Sequence, residues 1–167
     1  MKKLDFQPVK SDEAFKKNYK LHDLAERNGK NLLVQWGFNF RNFGEDRRNE
    51  KVWERGEDKP DIIIEYNGKR ALLDWKGKRK PKWIVNERAV ISYEKWKEKF
   101  QLPMIIAFFV FDENEKITHK KFAVLGKNKY KTQQKRQWDA NRTVEFPDEL
   151  PDFTATEIIN FFNSLNK

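Results

Sequence analysis

Apolar residues follow a helical spacing at the start of the chain and an extended one soon afterwards. Between Ser11 and about Trp36 they recur every three to four positions, with Ser11 as the N-cap and Gly37 closing the end. This predicts a long helix, with Asn28-Gly29 as a point where it could be interrupted. The residues from Phe38 to Phe40 alternate like a strand, whereas the dense mixture of charges from Gly44 to Lys59 favours a mobile loop.

The clearest hairpin pattern lies between Asp61 and Trp75. Two extended runs, Asp61–Tyr66 and Lys69–Trp75, flank the dipeptide Asn67-Gly68. Asn-Gly suits the two positive φ angles of a type I′ turn, so the runs should pair as antiparallel strands. Counting outward from a two-residue turn pairs Tyr66 with Lys69 and, at the far end, Asp61 with Asp74.

The rest of the chain predicts further helices and strands around this hairpin. We expect a helix over 86–100, a buried strand over 104–111 at the centre of the sheet and, after a turn at 113–115, a strand over 117–125. Thr154 and Glu157 form a capping box for a last helix that ends near Leu165. No element is predicted for the basic segment that follows residue 125. The order of elements predicts one α/β domain over residues 1–167, a mixed sheet flanked by helices.

The composition limits which partners and which metal ions the protein is expected to bind. Thirty-five Lys and Arg against 26 Asp and Glu give a charge of +9, which favours a polyanion or an acidic membrane surface. No apolar run would span a membrane and no signal peptide is evident, so we expect a cytoplasmic protein. Without cysteine, and with only His22 and His119, zinc–thiolate and histidine-rich sites are excluded, and neither histidine belongs to a recognisable motif. Oxygen ligands then point to magnesium or manganese.

The paired aspartates and a nearby lysine carry the candidate chemistry. Because side chains alternate along a strand, Asp74 and Lys76 should share one face while Trp75 points to the other, as a core residue. Asp61 and Asp74, held side by side, would repel unless a cation lay between them, and the carbonyl of Trp75 offers a third oxygen ligand. Such a site suits hydrolysis of a phosphodiester. The ordinary alternative is a surface hairpin with a cross-strand ion pair.

These residues also resemble a known family. Pro60-Asp61 followed by Asp74-Trp75-Lys76 is similar to the motif of the PD-(D/E)XK nuclease superfamily, which includes restriction enzymes and archaeal Holliday junction resolvases. Glu26, one helix length before Gly37, resembles the first-helix glutamate of the resolvases. The resemblance implies a restriction-endonuclease-like fold, a magnesium-dependent DNA endonuclease, and Glu26 as a further ligand of metal or water, although Glu13 or Asp23 could serve instead.

The resemblance covers roughly residues 20 to 112 and departs from the resolvases in two places. Resolvases carry a Ser-Gly loop where this chain has Gly44 to Lys59, and a glutamate where it has Asp74. A resolvase-like protein would act as a homodimer, because a junction presents two symmetric cleavage points. Restriction, nicking, repair and RNA-cutting nucleases stay open as alternatives, as does a non-catalytic nucleic-acid-binding module of the same fold.

Two basic tracts are expected to bind DNA phosphates. The first directly follows Lys76, and the second lies in the basic segment near Tyr130. The acidic residues 139–167 should face away from DNA. The expected contacts are Lys78, Arg79, Lys80, Lys82, Lys127, Lys129, Lys131, Lys135 and Arg136.

Overall fold

The computed structural model describes residues 8–43, 58–132, 142–147 and 149–165, with side chains from residue 19 onward. Within these ranges the chain forms three helices: α1 (Pro8–Gln35), α2 (Glu87–Phe100) and α3 (Ala155–Ser164). The strands of the same ranges are β1 (Asn39–Asn42), β2 (Ile62–Tyr66), β3 (Lys69–Lys78), β4 (Ile84–Asn86), β5 (Met104–Phe111), β6 (Ile117–Val124), β7 (Lys131–Thr132) and β8 (Thr143–Glu145). None of the described helices is long and apolar enough to cross a membrane.

The main sheet has five strands in the order β1-β2-β3-β5-β6. All neighbours are antiparallel except β3 and β5, which run parallel because α2 carries the chain back across the sheet between them. The expected mixed sheet flanked by helices is therefore confirmed. Every residue of β5 is buried, as its apolar run predicted, but the central strand is β3, which carries the paired-aspartate motif.

Side-chain alternation in β3 separates two apolar cores. On one face Leu73 and Trp75 pack with the apolar residues of α1 and α3. On the other face Leu72 packs with α2 and with a second, smaller sheet. Trp75 is fully buried in the first core, so its predicted direction, opposite to Asp74, is confirmed.

The hairpin has the predicted turn and register. Asn67 has φ 52° and Gly68 φ 78°, the positive values that a type I′ turn requires. Pairing runs from Tyr66 with Lys69 as far as Ile62 with Leu73. One step further, the Asp61 N–H donates to the carbonyl of Leu73 at 3.0 Å, which keeps Asp61 beside Asp74.

The first helix differs from its prediction in two respects. It begins at Pro8 rather than Ser11, which the fixed φ of proline allows in a first turn. It also runs without a break through Gly29. The glycine is needed there for packing rather than for a break, because it lies against the indole ring of Trp75, where a side chain would not fit. The end at Gly37 is confirmed, with φ 83°. The loop predicted from Gly44 lies outside the described residues as far as position 57.

The C-terminal helix is capped as its sequence predicted. The Thr154 hydroxyl accepts a hydrogen bond from the Glu157 N–H at 3.2 Å, and the flanking Phe153 and Ile158 are fully buried. At the other end Lys69 donates to the carbonyls of Phe162 and Leu165, at 3.2 and 3.1 Å. This lysine joins the hairpin to α3 and satisfies carbonyls that a helix end leaves unpaired.

The sequence did not predict the second sheet. It has three short antiparallel strands in the order β4-β8-β7, and it covers the face of the main sheet that α2 also covers. Its middle strand pairs Val144 with Val85 on one side and with Thr132 on the other. Residues 133–141, between β7 and β8, lie outside the described part of the chain.

Replacing Gly29 by alanine tests the close approach of α1 to the sheet. Alanine is a better helix former by about 1 kcal/mol, yet a methyl group here would overlap the Trp75 ring. We expect a net loss of roughly 1–3 kcal/mol in the free energy of unfolding, measured by urea denaturation. Asn31→Ala, at an exposed position of the same helix, should be neutral or slightly stabilising. Equal stability of the two variants would contradict the close packing.

Candidate active site

Asp61 lies at the entry to β2 and is held by two donors on one oxygen. Its Oδ2 accepts the Trp75 N–H at 2.9 Å and lies 3.1 Å from Nε2 of His22. The backbone bond extends the hairpin by one step through a side chain. The imidazole reaches across from α1, 39 residues earlier in the sequence.

Asp74 and Lys76 form a triangle with Tyr93 of α2. The Tyr93 hydroxyl donates to Oδ2 of Asp74 at 2.7 Å, and the Lys76 ammonium lies 3.1 Å from the same oxygen. Lys76 also donates to the Tyr93 hydroxyl at 3.2 Å. The Asp74 and Tyr93 side chains are almost completely buried, whereas the Lys76 side chain is 28% exposed. The lysine is therefore the member of this triangle that reaches the surface.

The pKa values of the two aspartates are shifted in opposite directions. Burial, together with the charge of Asp61, raises the pKa of Asp74 to about 7. Burial also acts to raise the pKa of Asp61, but the hydrogen bond and charge of His22 outweigh it and hold that pKa below its usual value. Burial alone would lower the pKa of His22, yet its partner Asp61 raises it to about 9. The neighbouring His22 cation thus stabilises the charged form of Asp61, whereas burial and the charge of Asp61 disfavour the charged form of Asp74.

Glu26 lies beside His22 on the next turn of α1. Its carboxylate pairs with Lys30 at 2.8 Å. Ligand atoms of Glu26, His22 and Asp23 all lie within 4.8 Å of one another. Because His22 also contacts Asp61, the imidazole connects this group to the paired aspartates. The same helix face carries Asp23, the alternative to Glu26, whereas the side chain of Glu13 lies outside the described part.

Sequence reasoning missed His22, Tyr93 and Asp58. His22 stands four residues before Glu26, a spacing that places both side chains on one helix face. This spacing is the sequence pattern that could have linked His22 to the site. The sequence placed His22 in no motif, because its contact with Asp61 depends on the packing of α1 on the sheet. Nothing near Tyr93 in the sequence indicates its role. His119 contacts Thr118 and lies near Trp83, outside the site.

Asp58 adds a further negative charge close to the lysine. Its carboxylate lies 3.4 Å from Nε of Arg88, and its carbonyl accepts the Trp96 indole N–H at 2.9 Å. Burial lowers the pKa of Lys76, but the charges of Asp74, Asp61 and Asp58 together raise it above the ordinary value. Lys76 is therefore a stable cation in this site.

The donor set fits a hard divalent cation. Two carboxylates lie together, and Asp74 keeps a raised pKa even with Lys76 beside it, so the protein's own cations do not fully balance the pair. The His22 Nδ1 is buried without a hydrogen-bond partner and lies 3.6 Å from Oδ1 of Asp23. Carboxylate oxygens are the ligands that magnesium and manganese prefer. Asp61 and Asp74 supply oxygen atoms of this kind.

Comparisons with known proteins give a likeness of fold. No protein-family model matches the chain, and no curated protein matches it. A solved structure with a similar fold is that of a Holliday junction resolvase from the archaeal hyperthermophile Archaeoglobus fulgidus. The identity is 13% and the TM-score 0.48, over 78% of this chain and 98% of that chain.

The basic residues divide into engaged and exposed ones. Lys78 donates to the carbonyl of Ile84 at 2.6 Å, and burial, with the nearby charge of Lys76, lowers its pKa to about 8. Arg79 donates to the carbonyl of Asp112 at 2.7 Å. Lys135 and Arg136 lie outside the described residues. The exposed lysines of the two tracts are Lys80, Lys82, Lys127, Lys129 and Lys131.

Amide substitutions of the two aspartates should have opposite effects on the metal-free protein. Asp74→Asn should raise the thermal midpoint, because it removes a strained buried charge; Asp61→Asn should lower it, because it breaks the pair with His22. Each kcal/mol corresponds to roughly 2–4 °C in a chain of this size.

Magnesium adds the second half of this measurement by differential scanning fluorimetry. Magnesium should raise the midpoint of the wild type, because the ion binds only the folded site. It should have little effect on either variant, because each variant lacks one carboxylate ligand. Asp152→Asn, at an exposed ion pair with Lys121, should respond as the wild type does. A full magnesium response in both site variants would place the ion elsewhere.

Proposed function

We propose that this protein is a divalent-metal-dependent endonuclease that hydrolyses phosphodiester bonds of DNA. The observation that carries the proposal is the convergence of Asp61, Asp74 and Lys76 at one end of the hairpin, with both carboxylates beside each other and the lysine reaching the surface. A cross-strand ion pair on a surface hairpin would not need a carboxylate that is only 4% exposed.

Each residue has a separate part in this chemistry. Asp61 and Asp74 would hold the ion, with Glu26 and the carbonyl of Trp75 as further oxygen ligands. When bound, magnesium or manganese supplies an activated water and a positive charge for the scissile phosphate. Lys76 provides a fixed positive charge beside that position and so stabilises the additional negative charge of the transition state. His22 and the Trp75 N–H hold Asp61 in place.

The second sheet supports DNA binding because it brings the two basic tracts together. Strand β4 begins just after Lys82, and Lys131 lies in β7 of the same sheet. Glu145 of β8 pairs with Ile84 on one side and Lys131 on the other, so the tracts are separated by two strand spacings, about 10 Å. Tyr130, 38% exposed, stands beside the last lysines. These residues form a basic surface suited to backbone phosphates.

Branched DNA is the substrate class we propose, and a homodimer the working form. Two active sites related by a two-fold axis can engage both strands that diverge at a junction, whereas a linear duplex engages one at a time. This part of the proposal rests on the resemblance of Glu26 and the hairpin motif to the resolvases. The proposed DNA surface also includes Lys78 and Arg79, although each of these side chains donates a hydrogen bond to a backbone carbonyl in the free protein.

Alanine substitution of Asp61, Asp74 or Lys76 should reduce cleavage at least ~100-fold while leaving DNA binding largely intact, because these groups serve the reacting phosphate. Glu26→Gln should lose most activity, whereas Asp23→Asn, at the alternative carboxylate on the same helix face, should keep it. The reverse result would assign the ligand role to Asp23. Cleavage of junction, flap, duplex, single-stranded DNA and RNA substrates with magnesium is the measurement. Normal cleavage by Asp74→Ala would refute the nuclease assignment. Binding without any cleavage by the wild type would favour a non-catalytic module.

Binding should weaken steeply with salt and should favour a four-way junction over a duplex of the same sequence. Log affinity on duplex falls by about 0.9 per log unit of salt for each phosphate neutralised. Lys129→Ala with Lys131→Ala should lower that slope by about 1 to 2, whereas Lys99→Ala on α2 should leave it unchanged. Equal affinity and cleavage for junction and duplex would reject the resolvase-like substrate and leave a general nuclease.

A further inference from the structure

Tyr93 is a buried residue that contacts both Asp74 and Lys76 of β3 and has no part in the mechanism above. It is 2% exposed and comes from α2, on the opposite side of the sheet from α1. Its hydroxyl lies 2.7 Å from Oδ2 of Asp74 and 3.2 Å from Nζ of Lys76. The ammonium also lies 5.6 Å from the centre of the Tyr93 ring, on its face.

The direction of these hydrogen bonds follows from counting protons. An ammonium has three donors and no acceptor, so Lys76 must donate to the Tyr93 oxygen. The Tyr93 hydroxyl then uses its single hydrogen to donate a hydrogen bond to Asp74. The hydrogen bonds therefore run from Lys76 through Tyr93 to Asp74, and the Lys76 ammonium also pairs directly with the same carboxylate at 3.1 Å.

This leaves one N–H of Lys76 without a fixed partner in the triangle. Tyr93 and Asp74 hold two of the donors, and the Lys76 side chain is 28% exposed, so the third donor is the one left for a ligand at the surface. A lysine side chain is otherwise flexible over four carbons. Both donors lie on Oδ2 of Asp74, so together they fix the orientation of that carboxylate beside Asp61.

We propose that Tyr93 is a positioning residue that orients the Lys76 ammonium toward the scissile phosphate and holds the Asp74 carboxylate in place for the metal. The proposal rests on the proposed nuclease function for its consequence in catalysis. The orientation of Lys76 itself depends only on the triangle. The two can therefore be tested separately.

Tyr93→Phe removes one oxygen and keeps the ring that packs in the second core. We expect kcat to fall roughly 10- to 100-fold, the loss of a hydrogen bond to a charged group, with KM for DNA within twofold. Manganese affinity, measured by calorimetry, should weaken severalfold because Asp74 is less constrained. Tyr66→Phe, at the far end of β2 from Asp61, is the matched control and should match the wild type in both measurements.

Chemical labelling of lysines tests the orientation without any cleavage. In Tyr93→Phe, acetylation of Lys76 followed by mass spectrometry should be severalfold faster than in the wild type, and Tyr66→Phe should show no change. In the wild type, Lys76 should label more slowly than the exposed Lys127, a comparison that stands even if Tyr93→Phe is poorly folded. Labelling of Lys76 at the rate of Lys127 would overturn the proposal. So would wild-type labelling and kcat in Tyr93→Phe. If the wild type cuts no substrate, the nuclease proposal fails while the labelling still decides the role of Tyr93.

Discussion

Two carboxylates placed side by side within a protein repel each other, and the surroundings of Asp61 and Asp74 are arranged around that repulsion. Each receives its own cation, His22 for the first and Lys76 for the second. The compensation is unequal: the pKa of Asp61 lies below its usual value, whereas burial and the charge of Asp61 raise that of Asp74 to about 7. The remaining imbalance at Asp74 is the physical basis of the divalent-ion site that we propose between the two carboxylates.

The cation beside Asp61 depends on how closely the first helix approaches the sheet. Two glycines make that approach possible. Gly29 of α1 lies against the Trp75 ring, and Gly77 of β3 lies against the backbone of Leu21, one residue before His22. A side chain at either glycine would push the helix away from the strand and His22 away from Asp61. The apolar packing of α1 and the electrostatics of the site are therefore linked through the same contacts.

Side-chain alternation along β3 directs the candidate active-site residues away from the core formed with α1 and α3 and toward the core formed with α2. Trp75 anchors β3 among the aromatic residues of the first core, including Phe109 of β5 and Phe153, which precedes α3. Its neighbours in sequence, Asp74 and Lys76, point to the opposite face, where Tyr93 of α2 meets them. The site therefore receives residues from both layers of helices, and the rigid central strand between them sets their spacing.

The sequence by itself determined the features that depend on neighbours in the chain. The Asn67-Gly68 turn set the hairpin register, alternation placed Trp75 opposite Asp74, and Thr154 marked the start of the last helix, because each rests on local backbone geometry. Only the tertiary structure decided that His22 contacts Asp61, that Tyr93 joins Asp74 to Lys76, and that β4 pairs with β8. Those contacts join segments far apart in sequence. They depend on the packing of helices and short strands on the sheet, which no local periodicity encodes.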